Sequence, residues 1–238
     1  MAETRVQNIV GRTNSDRIIL ALTILAALVL LIPIMWVVGL SFKLNNDLKI
    51  DPNSVFRLPY TLKNYIDVIS SSSVFRWLLN SLIVSIGSTI CILILSSLAG
   101  YGFARLNFPY KNIIFIIVLF GLAVPEQAVI VARHQIFSFL KLHNSYPGLI
   151  LPGLSASFGV FLMTQYFKAI PKEIDEAAML DHASRFRIFW KVLLPLTIPA
   201  QATLGIFTFL GAFNDYWWPL ISATKKEMYT ITTGIASM

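Results

Sequence analysis

A charged segment at residues 170–199, IPKEIDEAAMLDHASRFRIFWKVLLPLTIP, stands between two long apolar runs. Four acids and five bases lie in or beside it: Glu173, Asp175, Glu176, Asp181, Lys168, Lys172, Arg185, Arg187 and Lys191. Pro171 occupies a position favoured at the start of a helix, and acids fill the turn after it. Ser184 is placed to cap a second helix. This pattern predicts two short helices joined by a sharp turn on the aqueous side of a membrane. Together they are expected to form a protrusion that docks onto another protein.

Apolar residues in both predicted helices recur at helical spacing. In the first helix they are Ile174, Ala177, Ala178 and Leu180, and in the second they are Phe186, Phe189, Trp190, Leu193 and Leu194. Spacings of three and four residues place these side chains on one face of each helix. Both helices are therefore predicted to be amphipathic.

Few side chains in the sequence could serve as a nucleophile, a base or a metal ligand. His134, His143 and His182 all lie in polar connections, and the single cysteine, Cys91, lies within an apolar run and is predicted to pack there. No G-x-S-x-G, H-E-x-x-H or G-x-x-x-x-G-K-[ST] motif occurs. The sequence predicts no catalytic residue, metal ion or cofactor, and an intramembrane enzyme is the disfavoured alternative.

The composition is that of a membrane protein. Of the 238 residues, 56% are hydrophobic and 13% are charged, and a soluble domain is less apolar and about twice as charged. The net charge of +7 comes from short clusters of bases beside apolar runs, where they act as topology and headgroup anchors. This arrangement argues against nucleic-acid binding and favours contact with membrane lipid.

Five apolar runs are long enough to span a membrane core of about 30 Å. They cover residues 18–40, 77–103, 112–132, 146–167 and 193–213. The fold class predicted is an all-α, polytopic membrane helical bundle. Residues 42–76 are predicted to form an irregular outer loop, residues 133–144 a short interfacial helix, and residues 214–219 an aromatic belt.

Two features inside the runs suggest specific roles. Ser88, Ser96, Gly100 and Ala104 share one face of the second run, and small residues there predict close helix packing. Glu126, after Pro125 in the third run, either is a functional residue that faces a cavity, since a charge at that depth is costly, or lies at the interface because the helix ends near the proline. The sequence leaves these two readings of Glu126 open.

Several motifs together resemble one family of membrane proteins. Glu176-Ala177-Ala178, then Asp181 and Ala183, and Leu194-Pro195 about ten residues later resemble the EAA loop of ABC-importer permeases. The contexts IPKEIDEAAMLD and LLPLTIPA are similar to the carbohydrate-uptake, maltose-type branch, and Asn80-Ser81-Leu82 and residues 99–105 add to the likeness. The resemblance covers about residues 77–219.

The resemblance implies a function and a set of partners. It implies the membrane-spanning permease subunit of an ATP-driven importer for sugars or oligosaccharides, with another small solute as the alternative substrate. The implied partners are a cytoplasmic ATPase dimer, a second homologous permease and an extracytoplasmic solute-binding protein. The implied ATPase-coupling residues are Glu176, Ala177, Ala178, Leu180, Asp181, His182 and Ala183.

The resemblance also sets the expected topology, in a bacterial or archaeal plasma membrane. Residues 1–76 are expected to hold a cytoplasmic N-terminal tail, the first span and the outer loop, and residues 77–238 the permease core, with the cytoplasmic coupling loop at about 168–194. Ten of the Lys and Arg residues then lie inside and nine outside, so the positive-inside rule barely favours this orientation. Family members have a sixth span after the segment matching residues 229–237, and its absence leads us to expect a shortened product or record.

One residue departs from the family pattern. His182 stands where the family usually has glycine, and the turn there is predicted to need a left-handed backbone. Histidine tolerates this conformation at a small cost. Alternatively, its imidazole contacts the ATPase and makes coupling sensitive to pH.

Overall fold

The computed structural model describes residues 14–44, 55–56, 58–71 and 73–238. Within these residues every regular element is helical and none is a strand, so the all-α class is confirmed. The chain forms two compact units, Met1–Ser72 and Ser73–Met238. The described residues do not include residues 1–13 of the predicted N-terminal tail. They also do not include Pro52 of the predicted outer loop.

The first unit contains one long apolar helix, α1 (Asn14–Ser41). Residues Ser15–Ser41 include an 18-residue stretch with a mean hydropathy of 3.0. At 1.5 Å per residue these 27 residues extend about 40 Å, which is enough to span a membrane. The predicted outer loop is partly helical, because residues Lys63–Ser71 form α2. The Asn64 amide donates hydrogen bonds to the carbonyl oxygens of Ser41 (3.0 Å) and Lys43 (2.6 Å), which satisfies acceptors at the end of α1.

The second unit is built around α3 (Val74–Arg105), an apolar helix of 32 residues. The other helices of this unit, in chain order, are α4 (Lys111–Phe120), α5 (Glu126–Phe139), α6 (Tyr146–Ile150), α7 (Ser157–Ala169), α8 (Lys172–Leu180), α9 (Arg185–Ile188), α10 (Leu194–Leu196), α11 (Ile198–Asn214), α12 (Trp217–Ser222) and α13 (Ile231–Ala236). A 3-10 turn (Leu151–Leu154) extends α6, and a π-helical turn (Phe189–Leu193) joins α9 to α10.

The small residues of α3 form its buried face, as predicted. Ser88 and Ser96 are buried, and Gly100 lies against α7. A Cβ added at Gly100 would lie 2.7 Å from the Met163 Cβ and 2.9 Å from backbone atoms. Because backbone atoms of α7 are among those the added Cβ would meet, rotating one side chain of α7 would not make room for it. The small residues therefore set the distance between α3 and α7.

Gly100→Val is expected to destabilise the second unit by about 1–3 kcal/mol, because the added atoms overpack the contact between α3 and α7. Gly102→Val is a matched control, since no atom lies within 4 Å of a Cβ added there. The measurement is the yield and thermal midpoint of the detergent-purified protein. Equal losses for the two variants would contradict this packing account.

The prediction that the third span is one continuous helix is wrong. Helix α4 ends at Phe120, and α5 begins only at Glu126. Pro125 has an extended backbone, with ψ at 130°, and its ring disfavours helical geometry in the residue before it. Ten residues of α4 reach only about 15 Å, half of a membrane core. The separate interfacial helix predicted at 133–144 is also wrong, because α5 runs continuously through residues 126–139.

The predicted fourth and fifth spans are bent. In the fourth span, the axes of two helical segments, Tyr146–Leu154 and Ser157–Ala169, meet at 50°. In the fifth span, the axes of the segments Arg185–Leu196 and Ile198–Asn214 meet at 76°. The first bend follows Pro152 and Gly153, residue types that commonly accompany helix kinks. The described residues therefore contain two helices long enough to span, or up to four if each bent pair is one span. That the chain has five spans stays a prediction.

A polar network ties the segment after α12 to the start of α3. The Asn80 amide donates to the carbonyl oxygens of Glu227 (2.8 Å) and Tyr229 (2.9 Å), and Tyr146 donates to the Asn80 side-chain oxygen at 2.7 Å. The Trp77 indole N–H donates to the Lys226 carbonyl oxygen at 2.9 Å. The buried side chains of Trp77 and Asn80 are thus hydrogen-bonded at this end of α3.

The predicted aromatic belt is wrong for Trp218. Its side chain is buried, and its indole N–H donates to the Gly148 carbonyl oxygen at 2.9 Å, whereas Trp217 is exposed. Phe137 packs edge-on against the Trp218 ring, with centroids 5.2 Å apart. Trp218 is a core residue because its N–H finds a buried acceptor.

Candidate functional site

The predicted protrusion consists of α8 and α9, joined by a tight turn. Pro171, with ψ at 140°, is the residue before the first helical residue, so the predicted helix starts one residue later than expected. Ser184 caps α9 as predicted, its hydroxyl oxygen accepting from the Arg187 backbone N–H at 3.4 Å. Both helix starts thus follow from local sequence signals.

The turn after α8 has the left-handed residue that the sequence predicted. His182 has a φ of 54°, and its backbone N–H donates to the Met179 carbonyl oxygen at 3.0 Å. The N–H of Ala183 donates to the Ala178 carbonyl oxygen at 3.1 Å. These two bonds form a Schellman motif, which commonly has glycine at the left-handed position. The His182 side chain is exposed.

His182→Gly is expected to stabilise the turn by about 1–2 kcal/mol, because glycine adopts a positive φ without the side-chain penalty. ATPase-coupled uptake should then be kept or raised at every pH tested. The measurement is uptake into proteoliposomes from pH 5.5 to 8, beside the thermal midpoint of the purified transporter. Weaker ATPase binding by the glycine variant would instead make the imidazole a contact residue.

Four residues of α8 point away from the rest of the unit. We call Glu173, Glu176, Ala177 and Leu180 the outward face of α8; they fall at i, i+3, i+4 and i+7, and all are exposed. Leu180 is 81% exposed, and beyond the turn Phe186 is 68% exposed. Leu180 and Phe186 therefore give this end of the unit an exposed apolar surface.

The other predicted coupling residues are divided between this surface and the interior. Asp181 is exposed beside His182, whereas Ala178 and Ala183 are partly buried and pack against the core of their own unit. Ala178 is small because it contacts that core, so a bulky substitution there would disturb the subunit itself. Ala177 is the alanine of the motif that is free to approach a partner.

A buried ion pair anchors the protrusion to α3. The Arg105 Nε lies 2.8 Å from the Asp175 Oδ2, and the two side chains are 4% and 9% exposed. The Arg105 Nη2 donates to the Ile170 carbonyl oxygen at 2.6 Å. This pair joins residues 70 positions apart, so no local sequence pattern predicted it. It fixes the base of α8 to the end of the longest helix in the unit.

An aromatic cluster completes this anchor. Tyr101 packs against Phe189 and Phe167, with ring centroids 5.1 and 6.0 Å apart. Its hydroxyl donates to the Arg185 carbonyl oxygen at 3.2 Å. Phe167, Phe189 and Leu193 are almost fully buried.

The predicted apolar face of the second helix is only partly correct. Phe189 and Leu193 are buried, but Phe186 and Trp190 are exposed, and Ile188 is buried in their place. The π-helical turn at residues 189–193 has more residues per turn than an α-helix, which changes the direction of the side chains that follow. The exposed aromatic pair therefore extends the surface around Leu180.

Basic residues gather at the same end of the unit. Lys111, Lys168 and Lys172 lie near one another, and the Lys111 amine donates to the Leu106 carbonyl oxygen at 2.7 Å. Burial lowers the pKa of the Lys111 amine, and the charges of Lys168 and Lys172 lower it further. Clustered lysines are typical of the cytoplasmic boundary of a membrane protein.

A cavity of about 520 Å³ lies beside the middle of α3. Val84, Ser88 and Ile92 line one side, and the break between α6 and α7 lines another. Glu126 lines this cavity and is also the first residue of α5, 62% exposed, and a functional role for it stays a prediction. Its carboxylate pairs with Arg133 at 2.7 Å.

The sequence belongs to a known transport family. Residues 92–237 match the family described as "Binding-protein-dependent transport system inner membrane component". The chain is 31% identical over 221 residues to the diacetylchitobiose uptake system permease protein NgcG of Streptomyces coelicolor, covering 91% of this chain and 72% of that protein. We conclude that the chain belongs to this family of inner-membrane transport components, as the sequence resemblance predicted.

Two further comparisons agree with this assignment. The chain is 33% identical over 193 residues to the arabinooligosaccharides transport system permease protein AraQ of Bacillus subtilis, covering 81% of this chain and 67% of that protein. Its fold is similar to a chain of a bacterial ABC transporter involved in the import of the acidic polysaccharide alginate, with a TM-score of 0.79, 23% identity, and coverage of 95% and 82%. The protein is a permease subunit of an ABC importer and not an enzyme.

Proposed function

We propose that the chain imports sugars or oligosaccharides as one of two permease subunits. The proposal is supported by its similarity to permeases for diacetylchitobiose and arabinooligosaccharides. A second homologous permease would complete the pathway, and an extracytoplasmic solute-binding protein would deliver the sugar. ATP hydrolysis is assigned to a separate cytoplasmic ATPase dimer.

The ATPase is proposed to bind the protrusion. The observation that carries this assignment is the exposure of Leu180 and Phe186 beside the small, exposed Ala177. Glu176, Asp181 and His182 surround them as polar contacts, and Ala178 and Ala183 support them from within. A buried apolar anchor ringed by polar groups is the usual composition of a protein interface.

The orientation follows from this assignment. The protrusion and the lysine cluster around Lys111 are placed in the cytoplasm, together with the N-terminus. The cavity beside the middle of α3 then lies near the middle of the membrane. Glu126 is proposed to face the transport pathway there, since an acid lining a membrane cavity marks such a route.

The substrate class can be tested directly. The complete transporter, purified with its solute-binding protein, should carry a sugar or an oligosaccharide that mass spectrometry identifies after the complex is denatured. The alternative of another small solute is favoured by one comparison, since the chain is 31% identical over 202 residues to the sn-glycerol-3-phosphate transport system permease protein UgpE of Yersinia enterocolitica. Recovery of a solute that is not a carbohydrate would support that alternative.

A further inference from the structure

The cavity has an apolar aromatic wall. Phe158 and Phe207 line it with their rings 6.4 Å apart in an edge-on arrangement. The two side chains are 45% and 63% exposed, although both belong to the cavity lining. Ring surface that the protein leaves uncovered beside a cavity of this size is available to a ligand.

The same cavity is also lined by charged groups. Glu126, Arg133 and Asp215 are the ionisable residues that line the cavity in the described part of the chain. The Arg133 guanidinium is already engaged, since it pairs with Glu126 at 2.7 Å and lies 5.4 Å from the centre of the Trp218 ring. The cavity therefore holds two acids and one base, and that base is already paired.

The helix breaks place this chemistry at a suitable depth. Pro152 and Gly153, at the break between α6 and α7, line the cavity together with Ser88 near the centre of α3. Discontinuous helices that line a cavity near the middle of the membrane are a common setting for substrate sites in transporters. A volume of about 520 Å³ is within the range of small-molecule sites.

From this arrangement we infer that the cavity binds an uncharged oligosaccharide and rejects anionic sugars. The inference rests on the proposed function and narrows its substrate class. Apolar faces of sugar rings suit the Phe158–Phe207 wall, and sugar hydroxyls can donate to the two carboxylates and accept from Arg133. A uronate or a sugar phosphate would instead meet two carboxylates, with no unpaired cation among the described lining residues to receive it.

The inference can be tested by sugar binding to the complete transporter, purified without its solute-binding protein. Equilibrium dialysis would use three neutral probes, maltotriose, arabinotriose and tri-N-acetylchitotriose, and one anionic probe, trigalacturonate. At least one neutral probe is expected to bind about tenfold or more tightly than the uronate. Equal or tighter uronate binding, or no binding of any neutral probe at millimolar concentration, would overturn the inference.

Two substitutions locate the effect in the cavity. Glu126→Gln leaves the Arg133 guanidinium without its anionic partner, so binding of the uronate relative to the neutral probe is expected to rise about tenfold. Glu227→Gln removes an exposed negative charge from a residue outside the cavity lining and should leave this ratio unchanged. If the ratio does not move in the Glu126 variant, the charge argument is wrong.

A matched pair of substitutions tests the role of the aromatic wall. Phe207→Ala should weaken binding of the neutral probe about tenfold, whereas Ile206→Ala, an exposed neighbour outside the cavity lining, should not. Equal effects of the two variants would contradict the inference. Co-purification of the ATPase in the same samples shows independently whether the proposed coupling role stands.

Discussion

Asp175→Asn is expected to cost the folded protein about 3–5 kcal/mol, because it leaves the buried Arg105 guanidinium without its anionic partner. The bond from Arg105 to the Ile170 carbonyl oxygen cannot neutralise that charge. With the base of α8 loosened, ATP hydrolysis should continue while uptake falls. The measurements are the thermal midpoint of the purified transporter and the number of sugars moved for each ATP hydrolysed.

Two further variants distinguish the effect of leaving a buried charge unpaired from the effect of losing an acid in general. Glu173→Gln removes an exposed acid in the same turn and should leave the thermal midpoint unchanged. The double variant Arg105→Met, Asp175→Leu should be more stable than Asp175→Asn, since removing both charges of a buried pair is tolerated better than removing one. A double variant less stable than the single one would show that the ion pair itself holds α8 in place.

Glu176→Lys and Ala177→Trp are each expected to abolish co-purification of the ATPase and to reduce uptake by a hundredfold or more. The first reverses a charge on the outward face of α8, and the second places a large ring where a close approach is proposed. Truncation of a single interface hot spot costs 2 kcal/mol or more, and a clash or charge reversal at its centre costs at least as much. The amount of permease in the membrane should not change, because both residues are exposed.

Glu227→Lys makes the same change of charge at the other end of the unit, where Glu227 is also exposed. This control should retain both the ATPase and uptake. Normal transport by Glu176→Lys, or an equal loss in the control, would contradict the assignment of the coupling surface.

Local chemistry made the protrusion predictable from the sequence. The Ser184 cap and the positive φ at His182 depend on residues within a single turn, and both are confirmed. The small face of α3 was predictable for the same reason, since a four-residue repeat fixes which side chains share a face. Family membership was predictable because the EAA motif and its context are long and specific.

Features that depend on distant residues could not be derived in the same way. Nothing in the local sequence connects Arg105 with Asp175 or brings Glu126 and Asp215 into one cavity. The outward direction of Leu180 was also hidden, because an apolar residue at helical spacing fits a core position equally well. The π-helical turn changed the buried face of the second helix in a way that a regular 3.6-residue period does not anticipate.

The central claim is that the outward face of α8 contacts the ATPase, and a photo-crosslinker placed at Leu180 tests it most directly. Ile235, which is also exposed, is the control position. It lies next to Gly234, which packs on Trp77 near the start of α3, about 42 Å along that helix from Arg105. In the assembled transporter, irradiation should join position 180 to the ATPase and leave position 235 unlinked to it. Crosslinking of position 235 to the ATPase, or none from position 180, would contradict the account.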